Sequence, residues 1–109
     1  MPQATYVQDG KYVDYTPAAA IASGEVVVAG DLVGVTLRPL AAGELGSLAV
    51  DGIFDFSKLT NVAYTLGTIL YWDDTNNVVT TTATGNKTIG KVVKAAATTD
   101  ATVRVRVSQ

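Results

Sequence analysis

The sequence predicts an all-β fold: a small single-domain β-barrel or sandwich of many short strands. Three observations carry that expectation. Val, Thr and Ala dominate, Gly recurs from Gly10 to Gly90 at intervals suited to turns, and no segment sustains a helical apolar stripe beyond about two turns. β-Branched side chains pack well on a pleated surface, while Gly supplies the positive φ angles that tight turns need.

Residues 5–8 and 11–15 flank Asp9-Gly10, a pair suited to a type I′ turn, so the N-terminal region reads as a hairpin. Residues 1–5 are then assigned to a short extended arm and 6–109 to one β domain. Residues 17–24 admit one helical turn or a surface loop. Residues 25–29 and 32–37, broken by Gly30-Asp31, form a second apolar pair running toward the centre, and Pro39 marks an end or an edge. Residues 44–50 lead through Asp51-Gly52 into residues 53–56, read as two strands around a tight turn. A loop or one helical turn follows at 57–61. Residues 67–72 and 78–82 enclose the turn-forming stretch 73–77, the pattern of a hairpin with a polar tip. Lys87–Lys94 is a further strand and 95–100 a connection. In Thr102–Val107, Val alternates with a polar residue, so the valines face a core while Arg104 and Arg106 face out. The tally is about eight to ten strands, enough for a closed or nearly closed β structure.

Composition removes most reactive chemistries. The 109 residues contain no His and no Cys, which excludes a Ser-His-Asp triad, a Cys nucleophile, a thiolate or imidazole zinc site and a disulfide. Eight Lys and Arg against ten Asp and Glu give a net charge of −2 with no basic cluster, so no nucleic-acid surface is expected. The first residues lack a basic segment and an apolar stretch of about 7–15 residues, and the chain reads as made and kept in a cytoplasm. Its longest apolar runs, 18–22 and 26–29, fall short of the roughly 20 residues of a membrane span.

Four groups of residues invite a chemical reading. Thr84-Gly85-Asn86-Lys87-Thr88 ends in Lys-Thr after a Gly, but a phosphate-binding loop needs Gly where Asn86 and Thr81 stand, so it reads as a turn. Asp73 and Asp74 beside Tyr71 and Trp72 suggest calcium ligands or a sugar-stacking platform. The stretch lacks the alternating ligands of a calcium loop, and neighbouring residues on a strand point to opposite faces, so the two Asp read as turn formers. Tyr6, Tyr12 and Tyr15 make the first sixteen residues rich in tyrosine, which fits either a hairpin packed on the domain or a segment reaching a neighbouring subunit. Arg104 and Arg106 form a solvated face or an anchor for a partner carboxylate.

The order of short motifs carries a resemblance along nearly the whole chain. It runs through Tyr6-Val7-Gln8-Asp9-Gly10, Ser23-Gly24-Glu25-Val26-Val27, Gly30-Asp31-Leu32-Val33-Gly34-Val35 and Ala42-Gly43-Glu44. It continues with Val50-Asp51-Gly52-Ile53-Phe54, Gly67-Thr68-Ile69-Leu70-Tyr71-Trp72-Asp73, Thr80 to Gly85, Ile89-Gly90-Lys91-Val92 and Thr102-Val103-Arg104-Val105-Arg106-Val107. The sequence thereby resembles the tailed-phage capsid cement, or decoration, family, long treated as a domain of unknown function and often labelled recombinase-like. The resemblance implies a β domain that forms a homotrimer and binds the outer surface of an expanded head where copies of the major capsid protein meet. It implies a virion location after synthesis in the host cytoplasm, with no catalytic residue, cofactor or metal. The failed phosphate loop gives the recombinase label no support. The expected capsid or subunit contacts are Pro2, Gln3, Thr5, Tyr6, Tyr12 and Tyr15. The alternative is a small β-sandwich carbohydrate-binding module using Tyr71 and Trp72; an enzyme would have to work with carboxylates, Lys or Tyr alone, and no spacing gathers them.

Overall fold

The computed structural model describes residues 3–5 and 10–108, which hold nine strands and no helix. In chain order these are β1 (Tyr12–Tyr15), β2 (Val26–Ala29), β3 (Leu32–Thr36), β4 (Gly46–Ala49), β5 (Gly52–Ser57), β6 (Ile69–Asp73), β7 (Val78–Thr80), β8 (Lys87–Lys94) and β9 (Thr102–Val107). They form two antiparallel sheets, one of four strands in the order β1-β4-β3-β2 and one of five in the order β5-β9-β8-β6-β7. The edge strands β5 and β7 of the larger sheet approach each other across its curl without a ladder between them. The fold is therefore all-β and sandwich-like, not a closed barrel.

The clearest sequence pattern becomes the centre of the larger sheet. β9 buries Val103, Val105 and Val107 and exposes Thr102, Arg104 and Arg106, with β5 on one side and β8 on the other. Leu70 and Trp72 of β6, Val79 of β7, Ile89 and Val92 of β8 and Phe56 of β5 complete its buried face, and Val33 and Val35 of β3 meet it from the other sheet. At Gly90 the backbone φ is +156°, in a region that side chains rarely adopt, and a Cβ there would press into the Arg106 carbonyl of β9.

The two apolar pairs around Gly30-Asp31 and around residues 73–77 are hairpins, β2–β3 and β6–β7. The turn expected at Asp51-Gly52 is present as well, with Gly52 at φ 129° and the Asp51 carboxylate accepting from its N–H. The strands it joins do not pair. β4 lies between β1 and β3, whereas β5 forms a six-residue ladder with β9, so the link carries the chain from one sheet to the other. Phe54 and Phe56 of β5 are opposite Val105 and Val103, and this long ladder outweighs the short one that β4 could offer.

The two stretches left open between helical turn and loop are loops. The first, 17–24, is held by the Ile21–Leu40 bridge and by the buried Thr36 hydroxyl, which donates to the Ala22 carbonyl (2.7 Å) and accepts from the Glu25 N–H (2.9 Å). The second, 57–61, is held by Lys58, whose buried Nζ donates to the carbonyls of Leu59 (2.9 Å) and Asp100 (2.7 Å). The hairpin expected at Asp9-Gly10 involves residues 6–9, outside the described residues; among those described, β1 pairs with β4.

Candidate functional site

Four of the expected contact residues near the N-terminus, Gln3, Thr5, Tyr12 and Tyr15, are among the described residues. Gln3 and Thr5 are exposed, and Pro2 and Tyr6 lie outside the described residues. Tyr12 is 40% exposed, with the Lys11 ammonium 5.7 Å from its ring centroid. Tyr15 is half-buried and lines a cleft of about 680 Å³ with Ile21, Val26, Phe54 and Trp72. Three positions apart on a strand, the two tyrosines point to opposite faces, Tyr12 to the more exposed one and Tyr15 into the fold.

The stacking platform is not assembled. Trp72 is 5% exposed, its ring centroid lies 5.9 Å from that of Phe56, and its Nε1 donates to the Asp74 carboxylate (3.1 Å). Tyr71 projects from the other face of the strand and is half-buried. Asp73 caps the turn. It accepts from the Asn76 side chain (2.8 Å) and from the N–H groups of Thr75 and Asn76 (3.1 Å each), and these bonds, the Asn76 side chain foremost, hold its carboxyl below the usual range. Both carboxylates are thus committed to the hairpin. No cluster of three or more acidic groups able to hold a metal ion occurs among the described residues. Thr84–Thr88 likewise forms the expected turn between β7 and β8, with Gly85 at φ 77° and the Asn86 N–H donating to the Ala83 carbonyl (3.1 Å).

The outer face of the five-stranded sheet collects what the sequence reading saw only in part. Across the strands, Ile53, Arg106, Lys91 and Ile69 stand in one row, on β5, β9, β8 and β6. A second row holds Asp55, Arg104 and Lys94, because a register shift between Val92 and Lys94 brings Lys94 opposite Arg104. In the second row charges are matched. Arg104 donates to both Asp55 oxygens (3.0 and 3.3 Å), which holds the Asp55 carboxyl below its ordinary value and raises the guanidinium above its own. In the first row Arg106 and Lys91 face each other as like charges, and neither forms an ion pair among the described residues. Asp51, which lines a shallow pocket with Arg106, turns its carboxylate to the Gly52 N–H instead (2.9 Å). Ile53 and Ile69 at the ends of the row are 61% and 47% exposed, and Leu66, beside Ile69 along a groove of about 480 Å³, is 70% exposed. Alternation in β9 flagged the two arginines; Lys91, Lys94 and the isoleucines join them only through pairing of distant segments.

A family model described as phage cement protein matches residues 7–107. No curated protein and no solved structure matches the chain.

Proposed function

The chain belongs to the phage cement protein family, which gives it a structural role in association with the phage capsid, and we propose that it binds the outer surface of the assembled head and stabilises it without catalysis. In this reading it acts as a homotrimer against the major capsid protein after synthesis in the host cytoplasm. The observation that carries the proposal is the extent of the family match, which takes in all nine strands. Residues 1–5 are the arm and 6–109 the domain, and the contacts are made by Pro2, Gln3, Thr5, Tyr6, Tyr12 and Tyr15.

Such a role needs no reactive group. A protein that binds the assembled shell and not its free subunits stabilises the shell by mass action, and many identical sites multiply a modest contact energy. A closed trimer presents three equivalent patches to a lattice with local three-fold positions.

Sedimentation of the purified protein, alone and with expanded heads of the matching phage, tests the proposal. The expected result is a trimer that saturates heads at fixed stoichiometry and raises their disruption temperature, while a variant lacking residues 1–4 keeps its own melting temperature and binds heads more weakly. A monomer that ignores heads overturns the whole reading. Undiminished occupancy by the truncated chain overturns the arm.

A further inference from the structure

Half of the chain's eight Lys and Arg, namely Lys91, Lys94, Arg104 and Arg106, lie on the outer face of the five-stranded sheet, with Asp55 the carboxylate among them. The protein as a whole is acidic, at −2. Like charges directly opposite on neighbouring strands repel, and among the described residues no carboxylate compensates the Arg106–Lys91 pair. A carboxylate placed between them would remove that repulsion and gain charge-assisted hydrogen bonds. Exposed aliphatic side chains on both sides, Ile53 and Ile69, supply apolar area that a partner would cover.

The occupant is argued from the carboxylates. Among the described acids, Glu25, Asp31, Glu44, Asp51, Asp55, Asp73, Asp74 and Asp100 each accept a hydrogen bond from within the chain, which leaves Asp14. Among the described residues a second copy therefore offers this row few uncommitted carboxylates, and self-pairing of the face about a two-fold axis would set cation against cation. We infer that the row Ile53–Arg106–Lys91–Ile69 docks an acidic extended segment of the shell protein, with a carboxylate between Arg106 and Lys91 and aliphatic side chains over the isoleucines. Three strand spacings make the row roughly 14 Å long, the span of three same-face side chains (i, i+2 and i+4) of an extended segment, aliphatic at the ends and acidic in the middle. This inference rests on the proposed binding to heads and names the partner chemistry of this face.

The test is titration of expanded heads with the full chain, the double variant Lys91→Glu/Arg106→Glu, the neutral pair Lys91→Gln/Arg106→Gln and the control Lys87→Gln, at low and high NaCl. The expected result is an apparent Kd about tenfold weaker for the neutral pair and weaker still on reversal, with the salt dependence of the parent much reduced. The neutral pair should also melt no lower than the parent, because a repulsion has been removed; loss of binding without loss of stability separates docking from a structural role. Lys87→Gln should bind as the parent does. Equal binding and equal salt dependence for parent and neutral pair overturns this inference and leaves head binding standing. A change of oligomer mass in the neutral pair, with head affinity per trimer unchanged, assigns the face to a second copy and overturns it too. Failure of the parent to bind heads removes the proposed function itself.

Discussion

The two sheets are built on different terms. Among the described residues, nine of the thirteen in the main buried cluster come from the five-stranded sheet, and the four-stranded sheet contributes Val33 and Val35. The smaller sheet buries Leu48 and Thr36 away from that cluster and has edge strands, β1 and β2, with no fully buried residue. Apolar packing holds the larger sheet, whereas the smaller one also depends on polar ties such as the Thr36 hydroxyl. The larger sheet is accordingly the rigid platform, and it can leave two cations facing each other on its outer side at small cost to the whole.

Glycine replacement gives the largest expected contrast. Gly90→Ala pushes a Cβ against the backbone of β9 at a φ that alanine rarely adopts, and neither strand can yield without losing its ladder. The expected loss is on the order of 4 kcal/mol, read by urea unfolding. Gly34→Ala in β3 meets the Leu48 Cβ at 2.7 Å, a side chain in a less tightly framed sheet, and should cost about 2 kcal/mol. Equal losses would mean that the smaller sheet is as rigid as the larger.

The same contrast explains how much the sequence disclosed. β9 was legible because alternation along one strand states which residues are buried, and the β2–β3 and β6–β7 hairpins were legible because Gly30-Asp31 and the stretch 73–77 state where the chain turns. Sheet membership was not. Asp51-Gly52 signals a turn without saying whether the strands beside it pair, and the answer depends on Val103 and Val105, some fifty residues away. Lys58 gave no signal, because its burial depends on the Asp100 carbonyl of a distant loop. The cationic row shares this origin: Ile53, Ile69, Lys91 and Arg106 belong to four strands and meet only through register.

Truncation of apolar side chains sharpens the comparison at an intermediate scale. Leu70 is fully buried in the main cluster, and Leu70→Ala should cost about 3 kcal/mol with an unchanged denaturant slope. Val26 of β2 is half-buried against the same cluster, and Val26→Ala should cost about 1 kcal/mol. A loss at Val26 matching that at Leu70 would show that the smaller sheet's edge is as tightly packed as the centre of the larger one.

The smallest effect concerns the ion pair that joins the sheets, between Asp31 in the β2–β3 turn and Lys87 at the start of β8. The hydrogen bond from Lys87 and its charge hold the Asp31 carboxyl below the ordinary 3.8, as Arg104 does for Asp55, and the Ala41 N–H holds Glu44 below 4.5. Lower values in the folded chain mean that the unfolded chain binds these protons first. Their contribution is complete above the ordinary values and is lost as pH falls through them toward the folded ones. The melting temperature should therefore change little between about pH 7 and pH 5 and decline below about pH 4, less steeply in Asp31→Asn. Because both partners are substantially exposed, the difference should shrink further in concentrated NaCl. Asp31→Asn should also leave the contrast between Leu70→Ala and Val26→Ala intact, since the sheets meet through Val33 and Val35 and the pair only trims their edge. If removing this one charge abolished the acid decline altogether, the docking of the sheets would rest on the ion pair and the account of the core would have to be reversed.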